Sequence, residues 1–448
     1  MENEASRYSS ADVIIVGGGL AGLSAAALLA RAGRSVIVIE QAGRLGGRAC
    51  THVRDEIHWN LGPHALYCAG HAFCLFEELG VPFHGRLPNP GRGLLVRGDT
   101  YFPLPTGFGS LISTRLLTIR EKWRFARLLM KLAKLDTRRL DGVALQEWLD
   151  ETIGRGNLAA VLSALFRLST YCDDSARMSA GAALDQLKLA LAGNVWYLDG
   201  GWQTLVDGLR ERAAAGGAEF RNRARVDAVH DDGVGVTVRL AQGEELYARA
   251  AILAVDSQKA CELLDVTSGS PLARWRAQTV PIRAACLDLA LSRLSQPATR
   301  FALGLDRPYY YSVHSAAARL APDGVAVVHV MKYLGTDTNA SAQSVEHELE
   351  GFLAALQPGW KEHVVARRFL PSLTVAHSLP FAADDGLSGR PGVALTEHPH
   401  VFLAGDWVGS AGMLADASAA SAAESARRVL TILAGTPAVE RGRLHATS

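Results

Sequence analysis

The stretch VIIVGGGLAGLSAAALLARAGRSVIVIE, residues 13–40, decides the fold of this chain. Val13 to Ala30 contains no charged residue, and about 18 such residues can cross a bilayer. The residue composition of this stretch changes midway, however. Residues 13–16 are β-branched and typical of a buried parallel strand, whereas residues 21–31 are rich in alanine and leucine and typical of a helix. The polar N-terminus and the absence of a small-residue cleavage pattern argue against a signal peptide.

Three glycines, Gly17, Gly19 and Gly22, separate the strand from the helix in G-x-G-x-x-G order. The first permits a tight turn, the second lets the backbone approach a pyrophosphate, and the third allows close packing of helix and strand. The helix N-terminus offers free N–H groups to phosphates. A second strand ends at Glu40, whose carboxylate is placed to accept hydrogen bonds from a ribose. We therefore predict a dinucleotide-binding βαβ unit rather than a glycine-rich structural turn.

Composition excludes several classes of protein. The 448 residues are 48% hydrophobic, enough for two or three domains, and a net charge of +1 gives no global field for nucleic acid. Six cysteines form no C-x-x-C pair and no cluster with histidine at zinc spacing, so we expect free thiols and no metal site. Free thiols favour a reducing, cytoplasmic location.

The residues after Glu40 carry a family resemblance. Residues 44–48, RLGGR, form an R-x-G-G-R motif, and the chain here resembles the FAD-dependent amine oxidase, protoporphyrinogen oxidase and phytoene desaturase superfamily. The pattern is most similar to phytoene-dehydrogenase-related flavoproteins, through the segments AGDWVG, YYYSVHS and LPFAADDGLSGRP. Ala42 stands where many members have an arginine.

The resemblance implies non-covalent FAD and a set of contacts to it. Residues 60–64 resemble the turn that passes the flavin ring, and residues 200–205 resemble a G-G-x-x-x-L helix start. A helix N-terminus near residues 413–416 would stabilise negative charge at the edge of the reduced flavin. The implied cofactor-binding residues are Gly17, Gly19, Gly22, Glu40, Gly46, Gly47, Arg48, Leu61, Gly62, Val226, Gly405, Asp406, Met413 and Leu414.

The predicted fold class is α/β, an FAD/NAD(P)-binding Rossmann-like domain with an inserted mixed α+β substrate-binding domain. Strand-like runs at residues 309–314 and 325–334 and a helix near residues 344–356 belong to the insertion. The predicted ranges are 1–66, 200–265 and 392–436 for the FAD-binding domain, 67–199 and 266–391 for the substrate-binding domain, and 437–448 for a tail.

The sequence offers only a few candidate catalytic residues. His64 follows the flavin-passing turn and could move a proton near neutral pH, or it could be fixed by backbone hydrogen bonds. Tyr310 and His314 share one face of a predicted strand, and core packing is their alternative role. Amine oxidases of this superfamily often use a lysine that holds a water near the flavin. Lys332 lies on a predicted strand of the substrate domain, but its spacing to the Asp406 segment is short for that role.

A basic segment, residues 113–140, has nine Lys or Arg and two acidic residues with apolar residues interleaved. A basic amphipathic helix can dock on an anionic membrane, and relatives with lipid-soluble substrates load from membranes; a solvated helical face is the alternative. The expected location is therefore cytoplasmic, with peripheral contact to the inner membrane face left open.

We expect an FAD-dependent dehydrogenase or desaturase that takes hydride from a C–H bond of a hydrophobic small molecule to flavin N5. The chain has no second dinucleotide fingerprint, so electrons would leave to oxygen, a quinone or another acceptor. Alternatives are an amine oxidase that releases hydrogen peroxide, a redox-neutral flavin-dependent isomerase, and a non-catalytic flavoprotein.

Overall fold

The computed structural model describes residues 9–89, 93–105, 107–335 and 341–434. The predicted tail, residues 437–448, lies outside these ranges. The strands are β1 Ser9–Val16, β2 Val36–Glu40, β3 Thr51–Arg54, β4 Ile57–Asn60, β5 Leu66–Tyr67, β6 Gly85–Arg86, β7 Leu94–Arg97, β8 Thr100–Pro103, β9 Val195–Leu198, β10 Glu219–Asn222, β11 Val226–Asp231, β12 Val236–Leu240, β13 Glu245–Leu253, β14 Ile282–Leu291, β15 Phe301–Gly304, β16 Tyr309–Val313, β17 Ala326–Leu334, β18 Val364–Ala376, β19 Ala394–Leu395 and β20 His398–Leu403.

The helices complete the framework. They are α1 Leu20–Arg31, α2 His71–Glu78, α3 Phe108–Ser113, α4 Ile119–Leu132, α5 Leu145–Thr152, α6 Asn157–Thr170, α7 Ala180–Gly193, α8 Gln203–Ala215, α9 Ser257–Leu263, α10 Pro271–Gln278, α11 Ala342–Leu356 and α12 Leu414–Leu433. No helix in the described part of the chain is both long and apolar enough to cross a bilayer.

The first sheet contains the predicted βαβ unit. Its order is β10-β2-β1-β13-β12-β11, and β20 pairs in parallel with the C-terminal half of β13. Val13 and Ile15 face the layer of α1, α8 and α12, whereas Ile14 and Val16 face the opposite layer. Burial on both faces explains why β1 is a continuous apolar run rather than an alternating one.

The second sheet belongs to the predicted substrate domain and has the order β18-β14-β17-β16-β15-β7-β8. One face packs on α11, and the other packs on the helices between β8 and β9. The predicted strands near residues 309–314 and 325–334 correspond to β16 and β17, and the predicted helix near 344–356 corresponds to α11. The sequence reading missed β14 and β18, because Arg283 and Asp288 interrupt the first apolar run and Arg367, Arg368 and Pro371 interrupt the second.

Helix α2 differs from its expected place. It lies in the range 67–199 predicted for the substrate domain, yet Ala72, Leu75 and Phe76 pack in the core shared by α1, α8 and α12. The cofactor-binding core therefore continues past the predicted boundary at residue 66.

The glycine turn gives a test of the fold. A β-carbon at position 22 would overlap the carbonyl oxygen of Gly17. We expect Gly22→Ala to lower the free energy of unfolding by at least about 1–3 kcal/mol, measured by urea denaturation. Gly351→Ala in α11 is the matched control, since its β-carbon would meet nothing within 4 Å and alanine favours a helix interior. Equal stability of Gly22→Ala and the wild type would contradict the close packing of α1 on the turn.

Candidate functional site

A cavity of about 540 Å³ lies between the two sheets. The glycine turn and the ends of β2 and β13 form one wall, and β17 and β18 contribute to the other. The predicted cofactor residues that line it are Gly17, Gly19, Glu40, Gly46, Gly47, Arg48, Leu61, Val226, Gly405, Asp406 and Leu414. Gly22, Gly62 and Met413 do not line it but adjoin residues that do.

The turn at the start of the cavity suits a phosphate group. Gly17 has a φ of +106°, a backbone conformation that disfavours a side chain, and a β-carbon there would meet the Ala254 carbonyl. A β-carbon at Gly19 would meet nothing within 4 Å, so the backbone there borders open space. Gly19 is also the N-cap of α1, which directs free N–H groups toward the cavity. These features fit a pyrophosphate.

Glu40 lies at the end of β2 and lines the same cavity. Its carboxylate accepts hydrogen bonds from the N–H groups of Gly18, at 2.7 Å, and Ala42, at 2.8 Å. These bonds orient the carboxylate at the position where the sequence predicts a ribose contact. Ala42, at the position where many family members have an arginine, thus contributes only its backbone N–H to this part of the site.

Three distant segments meet at Asp406, which follows β20 and is 1% exposed. The Arg48 guanidinium donates to its Oδ2 at 2.8 Å, and the same guanidinium donates to the Val375 carbonyl at 2.6 Å. The backbone N–H of His377 donates to Oδ2 at 3.0 Å, and His377 Nδ1 lies 2.9 Å from Oδ1. Burial alone would raise the pKa of Asp406, but Arg48 and His377 hold that pKa well below its ordinary value.

The N-terminus of α12 forms another part of the wall. Met413 is its N-cap, and Leu414 has a left-handed φ of +56°, a strained backbone for a residue with a β-carbon. Asp416, in the first turn, accepts a hydrogen bond from the Ala72 N–H at 2.8 Å, so its carboxyl lies against the N-terminus of α2. Burial raises the pKa of Asp416 to about 6, against the opposing effect of the Ala72 bond.

His64 lines the cavity, as expected, and stacks edge-on against Trp202 at 4.8 Å between ring centroids. Its Nδ1 lies 3.1 Å from the Gly62 carbonyl and its Nε2 lies 3.2 Å from the Arg48 carbonyl. Burial lowers its pKa to about 4, so the ring is neutral near pH 7. This geometry matches the alternative of a histidine fixed by the backbone, and its proton-transfer role stays a prediction.

Tyr310 and His314 lie together but not in the cavity wall. As the two-residue period predicted, they share a face, and the Tyr310 hydroxyl lies 3.3 Å from His314 Nε2. His314 is 2% exposed and stacks on Tyr197 at 3.9 Å. These contacts favour the core-packing alternative, and neither residue lines the cavity. Their catalytic role stays a prediction without geometric support.

A buried polar cluster adjoins them across β14 and β17. Cys286 Sγ lies 2.9 Å from Asp288 Oδ1, and His329 Nδ1 lies 2.6 Å from the same oxygen. These three ligand atoms are the type that hold a metal, a juxtaposition that sequence spacing did not reveal because it forms across strands. The Arg368 guanidinium donates to the other carboxylate oxygen, and its positive charge disfavours a cation there.

Among the side chains of the cavity wall that the sequence does not predict are Tyr67, Tyr171 and His377, together with Asp416 as an ionisable group. Tyr171 ends α6 with a left-handed φ of +59°. His377 directly follows a strand that was not recognised. The available signal was a polar residue at a strand or helix end, where sites commonly form, but many residues share that signal.

The raised pKa of Asp416 predicts that this residue makes the folded protein less stable as pH rises. Its pKa is higher in the folded protein than the ordinary 3.8, so its contribution to stability is complete below that value and is lost as pH rises through about 6. From about pH 4 to about pH 8, the unfolding free energy of Asp416→Asn should rise by about 2 kcal/mol relative to the wild type. Urea unfolding across this range measures the difference, and the exposed Asp99→Asn is the control. Parallel pH profiles for Asp416→Asn and the wild type would contradict the raised pKa.

Comparison with known proteins identifies the family. The family model "Flavin containing amine oxidoreductase" matches residues 20–430. AofH of Mycobacterium tuberculosis, named as a flavin-containing monoamine oxidase, is 30% identical over 247 residues, covering 52% of this chain and 54% of that protein. The alignment thus spans about half the length of that relative. An L-amino acid oxidase of Cerastes cerastes is 50% identical over 56 residues, 12% of this chain and 11% of that protein.

Solved structures share the fold. An oxidoreductase from Methanosarcina mazei superposes with a TM-score of 0.74 at 17% identity, covering 92% of this chain and 99% of that one. Cyclohexylamine oxidase from Brevibacterium oxydans superposes with a TM-score of 0.71 at 17% identity, covering 94% and 99%. The predicted fold class, superfamily and FAD cofactor are confirmed. The chain belongs to the flavin containing amine oxidoreductase family, and it is an FAD-dependent oxidoreductase.

Proposed function

We propose that this enzyme dehydrogenates a hydrophobic small molecule at a C–H bond and passes the electrons to oxygen or a quinone. The observation that carries the proposal is the composition of the wall contributed by the substrate domain and the adjoining turn. Large apolar and aromatic side chains dominate it, namely Leu61, Tyr67, Tyr171, Met331 and Leu373. Such a wall favours an apolar substrate and excludes water.

The position of Lys332 also favours dehydrogenation of a hydrophobic molecule over amine oxidation. It neighbours Met331 on β17, and successive side chains of a strand point to opposite faces. Met331 lines the cavity, whereas the Lys332 ammonium donates to Glu348 at 2.6 Å on the α11 side. The lysine weighed for an amine-oxidase role therefore faces away. Lys259 also lines the cavity, but it lies on α9 of the cofactor domain.

Bound FAD supplies the hydride acceptor. Gly19 and the α1 N-terminus would hold its pyrophosphate, Glu40 its ribose, and Arg48 a phosphate or the ribityl chain. The N-terminus of α12 would stabilise negative charge near the reacting centre. We assign the proton to Asp416 rather than His64, because a carboxyl with a pKa of about 6 can hold or release a proton near neutral pH. His64 then fixes the turn.

Oxidation of an amine is the second candidate function. Several similar proteins are named as oxidases of amines, including AofH, putrescine oxidase and cyclohexylamine oxidase. An ionised Asp416 carboxylate could also pair with a substrate ammonium. Release of hydrogen peroxide with an amine substrate distinguishes this function from the first.

The substrate class that reduces the flavin separates the two functions. The purified protein is photoreduced without oxygen, air-saturated buffer is admitted, and the flavin absorbance is followed. We expect anaerobic bleaching by lipid-like alkenes or alcohols rather than by amines, and return of the flavin absorbance when air or a quinone is admitted. Lys332→Met should leave these rates unchanged. Rapid return in air with bleaching and peroxide release on adding amines would overturn the proposal in favour of amine oxidation.

A further inference from the structure

An apolar stripe on the outer surface of α4 is exposed to solvent. Ile119 is 88% exposed, Trp123 62% and Met130 71%, and Ile112 of the neighbouring α3 is 57% exposed. Four of the twelve large exposed apolar side chains in the described chain therefore lie within residues 112–130. Single exposed apolar residues are ordinary, but a cluster marks an interaction surface.

The opposite face of α4 is fixed to the body of the protein. Phe125 and Leu132 are buried in the substrate-domain core. Glu121 caps the helix through Thr118 and accepts a hydrogen bond from the Leu158 N–H, and Arg124 donates to the Thr152 carbonyl at 2.9 Å. The stripe is thus presented by a helix that is anchored through its opposite face, with the apolar side chains of the stripe exposed.

Basic side chains surround the stripe. Ile119, Trp123, Arg127 and Met130 follow one another at spacings of three or four residues, which places them on one face of α4, and Lys134 lies just after the helix ends. The Arg127 guanidinium lies 5.4 Å from the centre of the Trp123 ring. Five exposed cations on α4 and its flanking residues make no ion pair with a described carboxylate, namely Arg115, Arg120, Arg127, Lys131 and Lys134.

We propose that this surface, which we call the docking face and define as Ile112, Ile119, Trp123 and Met130 with those five cations, binds an anionic lipid membrane. The apolar side chains would enter the boundary between headgroups and acyl chains, and the cations would contact anionic headgroups. The charge selects this occupant over a second copy of the chain, because two docking faces would bring like charges together.

Helix α4, which carries most of the docking face, lies close to the cavity. It packs on α6, and α6 ends at Tyr171, which lines the cavity. The membrane-facing helix is therefore one helix away from the proposed substrate wall. Membrane binding would deliver a lipid-soluble substrate to that side of the enzyme, but the docking face itself does not depend on the proposed reaction.

The test is binding of the FAD-loaded protein to phosphatidylcholine vesicles with and without phosphatidylglycerol, measured by co-sedimentation. We expect binding to require phosphatidylglycerol and to weaken with salt. Arg120→Gln/Arg127→Gln/Lys131→Gln should weaken it on the order of 100-fold, at roughly 1 kcal/mol for each basic residue near an anionic surface. Ile119→Ser/Trp123→Ser/Met130→Ser should weaken it at least about 10-fold.

A spectroscopic measurement shows whether the apolar side chains insert. Of the eight tryptophans, Trp123 is exposed and the other seven are buried or half-buried. Lipids brominated on their acyl chains should therefore quench the fluorescence of Trp123 when the protein binds. The control is Val53→Ser/Val234→Ser/Val365→Ser, which removes three exposed apolar side chains elsewhere. Flavin content reports the folding of every variant.

Several outcomes would overturn the proposal. These are equal binding to vesicles without phosphatidylglycerol, absence of bromolipid quenching, and equal loss of binding in the control variant. Sedimentation showing a dimer that the apolar triple variant dissociates would assign the docking face to a second copy instead.

Discussion

The buried carboxylate of Asp406 is the group on which the rest of the structure depends. A carboxylate that is 1% exposed is unstable unless charges and hydrogen bonds compensate for the lost water. Its partners come from the segment after β2, through Arg48, and from the end of β18, through His377. These segments are separated by more than 300 residues. The charge is therefore satisfied only when the cofactor domain and the substrate sheet are assembled on each other.

The same junction forms the floor of the cavity. Arg48, His377 and Asp406 all line it, so the contacts that join the two domains also set the charge that a dinucleotide meets. Asp416 lies in the same wall with the opposite shift, because burial raises its pKa and one backbone N–H is its compensation. The pKa values of two carboxylates in one cavity are thus shifted in opposite directions, so that Asp406 stays ionised while Asp416 can exchange a proton near neutral pH.

The sequence predicts the parts of this arrangement that are local. Residues 13–40 form a continuous strand, turn, helix and strand, and steric demands at Gly17 and Gly22 leave little choice of residue. The contacts of Arg48 with His377 and of Asp416 with Ala72 join residues hundreds of positions apart, and no pattern within one segment reports them. Tyr310 and His314 illustrate the limit of prediction from strand periodicity. Their shared face followed from the strand period, but their distance from the cavity depends on how the sheets pack.

The most direct test of this account is the affinity of Asp406→Asn for FAD. The substitution keeps the shape of the side chain and removes its charge, so Arg48 loses its ionic partner in the cavity floor. We predict that FAD binding, followed by flavin fluorescence on titration of the deflavinated protein, weakens by at least about 1.5–3 kcal/mol. The exposed Asp323→Asn should bind FAD like the wild type. Wild-type affinity in Asp406→Asn would contradict the claim that this buried charge organises the cofactor site.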